Sequence, residues 1–155
     1  MKEAVEAERR KFELEMETIR RMTIDERSAE LLYQDITENI LNLRCPRCNH
    51  VFVDFSGCFA LTCVFNRCGA GFCAWCLRDC GSDAHAHVAN CPENRTGDVY
   101  GRKEDFDQHH RARKERRVEA KLKSANLSQT AMNILRTKLS KDLRDLGIRV
   151  QLPGW

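Results

Sequence analysis

The sequence predicts an α-rich fold with little β, in which helices flank a small domain of short strands and loops that is stapled by metal. Three observations predict it. All nine cysteines lie between Cys45 and Cys91. On both sides of that stretch, apolar residues recur at helical spacing. Aromatic residues make up only 7 % of the 155 residues, so a large apolar core is not expected to hold the cysteine-rich part together.

Residues 1–43 read as a helical arm of two helices. In the first, Val5, Phe12, Met16 and Ile19 fall at spacings of seven, four and three, one stripe of a helix. Thr23 can cap the next helix, and Glu26, three residues on, can reach back to it. That second helix carries Ala29, Leu32, Ile36, Ile40 and Leu43 on one face. Residues 44–96 form the cysteine-rich domain. There His50 to Phe55 alternates apolar and polar residues as a short strand does, and "AGFCAW" reads as a second strand. Gly57, Gly69, Gly71 and Gly81 supply turns.

Residues 97–155 return to helix. The segment from Lys103 to Ser124 has few apolar residues and is expected to be solvated or stabilised by a partner, with His109 and His110 a solvated pair. Asn126 or Ser128 can cap a last helix bearing Met132, Leu135, Leu139, Leu143 and Leu146, with Gly147 as its C-terminal stop. This helix needs an apolar mate, for which the N-terminal stripe is a candidate.

The net charge of +3 conceals an asymmetry: residues 1–43 carry −4 and residues 97–155 carry +6. Two solvated helical regions of opposite sign account for it. The run from Arg111 to Lys123, with seven basic and two acidic residues, also makes nucleic acid or an acidic protein face a candidate partner. No apolar run approaches the ~20 residues of a membrane helix, so no membrane partner is expected. The N-terminus has no apolar signal core, and an intracellular chain, cytoplasmic or nuclear, is expected. Thiols stay reduced there. Nine cysteines would also leave one over in a disulfide framework. Close-spaced cysteine pairs with nearby histidines therefore read as two zinc sites.

Cys45 and Cys48 enclose two residues, as do Cys73 and Cys76, the tight turn that lets two sulfurs share one tetrahedral ion. The simplest assignment is sequential. Cys45, Cys48, Cys63 and Cys68 hold one ion; Cys73 and Cys76 begin a second, completed by a histidine and Cys91. His87 lies four residues before Cys91 and faces the same way on a helical turn. His85 is the alternate, and Cys80 with His85 is a rival arm. A cross-braced order, with Cys45 and Cys48 sharing an ion with Cys73 and Cys76, is a further alternative. A metal site contributes folding free energy on the order of 10 kcal/mol in small zinc modules, which suits so thin a core.

The sequential assignment leaves Cys58 and Cys80 over. Cys58 follows Ser56-Gly57, a turn, on a loop pinned at both ends by ligands of the first ion. On position alone it reads equally as a small buried hydrophobe. The run Cys45-x2-Cys48-x9-Cys58-x4-Cys63-x4-Cys68-x4-Cys73-x2-Cys76 closely resembles the last zinc domain, RING2 or Rcat, of the RING-between-RING ubiquitin ligases. Shared features are the proline after the first cysteine, the glycine before Cys58, and the phenylalanine before "CAWC". The resemblance covers residues 44–92 and not the flanking helices.

The resemblance implies that Cys58 takes ubiquitin as a thioester from a charged conjugating enzyme and passes it to a substrate amine. Its partners would then be ubiquitin, that enzyme, a protein substrate, and a RING-bearing region or partner to dock the enzyme. Two departures stand out. Many members carry a histidine two residues after the nucleophile as general base, where this chain has Ala60. An acidic residue that assists in some members would fall near Gly71. His50, Asp54 and His85 are the candidates to stand in. The alternative function is a non-catalytic zinc-binding interaction module, resembling the in-between-RING domain, that binds ubiquitin, another protein or nucleic acid.

Overall fold

The computed structural model describes residues 2–21, 23–52 and 55–155. Helix α1 (Lys2–Arg21) is followed by α2 (Ile24–Asp35), which runs on as one π turn over Ile36–Ile40. Thr23 caps α2, its hydroxyl accepting from the Glu26 backbone N–H at 3.2 Å. The π turn, closed by Leu41 N–H to Ile36 C=O at 2.9 Å, resets the helical phase. Ile36, Ile40 and Leu41 are buried in a helical core, while Leu43 is delivered to the core of the cysteine-rich domain.

The mate of the last helix is α2. Helix α5 (Gln129–Asp145) starts at Ser128, whose hydroxyl accepts from the Ala131 N–H and donates to Asp25 at 2.6 Å. Lys138 pairs with Glu30, and the Tyr33 hydroxyl donates to Asp142 at 2.8 Å. These links advance together along both helices, so α2 and α5 run parallel. Ala29, Ile36, Leu135 and Leu139 are fully buried between them and their neighbours. At the far end Gly147 takes a φ of +66°, its N–H reaching Arg144 C=O and that of Ile148 reaching Leu143 C=O. That paired closure buries Ile148 against the same core. Among the described side chains the N-terminal stripe plays no such part: Val5, Phe12 and Met16 of α1 are exposed, and the Ile19 side chain lies outside the described residues.

In the middle, β1 (Ala60–Thr62) pairs antiparallel with β2 (Gly71–Cys73), with Ala60 opposite Cys73 and Thr62 opposite Gly71. The "AGFCAW" strand is β2. Among its described residues the alternating stretch from His50 makes a single bridge, Arg44 with Val51; Val53 and Asp54 lie outside the described residues. A short helix α3 (His85–Asn90) follows, buried through Val88.

Helix α4 (Lys103–Ser124) ties the two halves together. Phe106 enters the cysteine-rich core, and Val118 and Leu122 enter the helical core. The histidine pair is not solvated, contrary to the expectation from sequence. His110 Nε2–H donates to the Ala74 carbonyl at 2.5 Å, and His109 Nε2–H donates to that of Trp75 at 2.8 Å. His110 is 2 % exposed, and burial pushes its pKa down to about 4. The two rings thus satisfy carbonyls inside the Cys73–Cys76 turn, which a sequence pattern of charged helix residues does not reveal.

Two outcomes follow. Leu135→Ala removes a fully buried side chain and should cost about 2–5 kcal/mol in denaturant unfolding. His110 has a folded pKa of about 4 against 6.5 when unfolded. The unfolded chain therefore binds the extra proton between these values, and stability falls as pH drops through that window. The wild type should lose about 3 kcal/mol there relative to His110→Gln, whose shared acid response cancels in the difference.

Candidate metal centres and candidate nucleophile

Three cysteine loops are built alike. Cys45, Cys63 and Cys73 each donate their N–H to the carbonyl that closes the loop, at His50, Ala70 and Arg78. Each also accepts, through its own carbonyl, from the residue just after the loop's second cysteine: Asn49, Gly69 and Leu77. All three of those residues have positive φ, 65°, 69° and 61°. The left-handed residue turns the chain back so that both sulfurs face one point.

The loops gather two groups. Cys45, Cys48, Cys63 and Cys68 form one; Cys73, Cys76, His87 and Cys91 form the other; within each, the donor atoms lie within 4.8 Å of one another. Cys45 Sγ is 3.9 Å from Cys68 Sγ, and Cys48 Sγ is 3.6 Å from Cys63 Sγ. A tetrahedron with metal–sulfur bonds of about 2.3 Å has edges of about 3.8 Å, whereas a disulfide needs about 2.05 Å. Each group fits one metal ion. Burial pushes the Cys73 thiol up to about 12, with repulsion from Cys76 and Cys91 acting the same way. The Cys73 thiol so held keeps its proton until a cation replaces it.

The order is sequential: the structure does not bring Cys45 and Cys48 to Cys73 and Cys76. Of the two candidate histidines, His87 sits in the second group, its Nε2 3.2 Å from Cys76 Sγ. Cys80 and His85 stand outside both groups. Cys80 instead donates to the Arg78 carbonyl at 3.3 Å.

His85 goes elsewhere. Residues two apart on a helix diverge by about 200°, so the turn that aims His87 at the metal group aims His85 away from it. Its Nε2 lies 3.8 Å from Cys58 Sγ, and its Nδ1 is hydrogen-bonded to Asp83, which also accepts from the His85 backbone N–H at 3.0 Å. A thiol, an imidazole and a carboxylate thus stand in line. His50 does not join them; it stacks on Phe65 with ring centroids 3.7 Å apart. Asp54 lies outside the described residues.

Cys58 itself is half-buried between a turn and an anchor. Gly57 takes a φ of +98°, and Phe59 is fully buried, its ring 4.8 Å from Phe55 and 4.4 Å from Trp75. Backbone bonds fasten both sides to the next segment: Gly101 N–H to Gly57 C=O at 3.0 Å and Phe59 N–H to Val99 C=O at 2.8 Å. The thiol is 3.5 Å from the Ala60 carbonyl.

Gly71 explains how the acid arrives. A Cβ there would lie 2.7 Å from the Asp83 backbone nitrogen and 2.8 Å from the Ser82 carbonyl carbon. Only glycine lets the Cys80–Asp83 loop lie on β2, where Gly71 N–H donates to Gly81 C=O and Cys80 N–H to Gly71 C=O. Arg47, inside the first cysteine turn, holds that loop from the other side through Asp79 at 2.9 and 3.0 Å and Gly81 C=O at 3.0 Å. The pairing of Asp83 and His85 was legible in principle as Asp-x-His at a helix start. Its aim toward Cys58 was not, because the approach runs across β2.

Comparison with family models, with curated proteins and with solved structures yields no match. The site's own chemistry therefore carries the reading.

Metal analysis of the purified chain should find two divalent ions, falling to one in Cys45→Ser and to one in Cys73→Ser. Because each ion displaces protons from thiols, its affinity should weaken as pH falls, as a competition titration with a chromogenic chelator would read.

Proposed function

We propose that the chain is a ubiquitin-transfer module of the RING-between-RING type, with zinc in both four-donor groups and Cys58 as the nucleophile. The observation that carries the reading is the placement of Cys58: outside both metal groups, with an imidazole 3.8 Å away whose far nitrogen is held by a carboxylate. Thiolate and imidazole donors at tetrahedral spacing are the set that zinc takes in structural sites, where it supplies rigidity and no reactive water.

In the first step the Cys58 sulfur attacks the thioester carbonyl of ubiquitin on its conjugating enzyme. The proton of Cys58 passes to His85, the carbon–sulfur bond to the enzyme breaks, and the enzyme's thiol leaves with a proton. In the second step a substrate amine attacks the new thioester. Its proton goes to His85, the bond to Cys58 breaks, and an amide forms. Splitting one acyl transfer into two lowers each barrier. His85 would fill the role of the histidine that Ala60 replaces, and Asp83 would hold its tautomer, as the third member of such triads does.

One observation favours the binding-module reading. Between Cys63 and Cys68, Val64 is 89 % exposed and Phe65 is also exposed, an apolar tip suited to contact.

Both readings meet in a discharge assay with several ubiquitin-charged conjugating enzymes, run with and without an added RING domain. Wild type should give a reducible ubiquitin adduct, Cys58→Ser a reduction-resistant oxyester, and Cys58→Ala none. His85→Ala, checked for two bound ions, should still load but transfer to free lysine about 100-fold more slowly or worse. No adduct under any condition from a folded, two-metal chain would leave the binding module as the function.

A further inference from the structure

We propose that the recess between the Cys73–Cys76 turn and α4 binds a phosphate-type oxyanion. The first observation is Trp75. It is 3 % exposed, and its indole N–H is buried with no hydrogen-bond partner among the described residues. Buried donors are nearly always met, by protein, water or a ligand. The second observation is the lining. Trp75 forms a recess of 170 Å³ with Arg95, Thr96, Asp105, Gln108 and Arg116 among its walls. At roughly 30 Å³ per water, this space has room for a group the size of one phosphate head.

The charge fits the same ligand. Arg95 and Arg116 make no ion pair among the described residues, while Asp105 is held by Arg102 at 3.2 Å. His109 is a neutral wall: burial lowers its pKa, and its Nε2–H is committed to the Trp75 carbonyl. The Thr96 hydroxyl is committed, donating to Asn94 Oδ1 at 2.9 Å and accepting from the Asp98 N–H at 3.2 Å. The free donors are then one indole, two guanidinium groups and an amide. An acceptor-only ligand with oxygens in several directions suits them, and the two arginines exclude a cation. Inorganic phosphate and the phosphomonoester of a phosphorylated side chain share this chemistry. Nothing in the Cys58 reading requires the site, and neither fails if the other does.

The test uses the metal-loaded chain freed of excess zinc. Only Trp75 and Trp155 carry indole N–H groups, so a nitrogen–proton NMR spectrum shows both, one as reporter and one as control. Titration with inorganic phosphate, and separately with O-phosphoserine, should move the Trp75 indole resonance saturably and leave that of Trp155 in place. Arg95→Gln and Arg116→Gln, both surface changes, should each weaken binding roughly tenfold. Tighter binding of phosphoserine would assign a phosphorylated side chain, and equal or weaker binding would assign free phosphate. The proposal is overturned if the Trp75 resonance stays still, if chloride at matched ionic strength moves it equally, or if both arginine variants bind as the wild type does.

Discussion

Two sets of four soft donors, each gathered within 4.8 Å, impose the constraint on which the middle of this chain depends. The strands there are three residues long, too short to hold a sheet without outside help. The core around the first group is smaller still, with Cys45, Ala70 and Phe72 as its buried members. Thiols at such distances repel as they ionise, so the loops converge only if a cation makes convergence favourable. The backbone prepares for it three times in the same way, with a left-handed residue directly after the second cysteine. Asn and Gly meet that need cheaply; Leu77 meets it at a cost in backbone strain that the bonds around Cys73 must offset.

Rigidity passes outward from these centres by short contacts. Arg47 carries it from the first group to the loop that presents Asp83. Phe59 carries it from the Trp75 side of the second group to Cys58. Helix α4 carries it farthest, since its histidines close on carbonyls of the Cys73–Cys76 turn while its last turns enter the helical core. The cysteine-rich part and the helical part thus share one long element, and one of its basic residues, Arg113, turns inward to donate to the Cys76 carbonyl.

The metal spacing was legible because a two-residue loop between cysteines leaves few geometries for the sulfurs. The caps at Thr23 and Ser128 and the stop at Gly147 were legible for the same reason: each is settled by neighbours in sequence. What escaped was settled across the fold. A run of arginines and lysines hides the four buried positions of α4, because Phe106, His110, Val118 and Leu122 serve two different cores and never form a continuous stripe. The N-terminal stripe was real as a pattern, yet α5 found its partner in α2, where an ion pair, a tyrosine hydrogen bond and a shared cap accompany the apolar contact. The role of His85 depended on a glycine fourteen residues earlier, whose missing side chain admits the loop that brings the acid.

The six-residue helix α3 has a consequence for how the chain can change over time. His85 and His87 serve different neighbours only because they are two positions apart, on opposite sides of one turn. Inserting or deleting one residue between them would rotate one ring by about 100° and lose one of its two neighbours. Point substitutions around them are tolerable; changes of length are not. Distant relatives that share this arrangement would then be recognised less by identity than by a ruler: Asp, His and His at alternate positions, with cysteine four residues beyond the last.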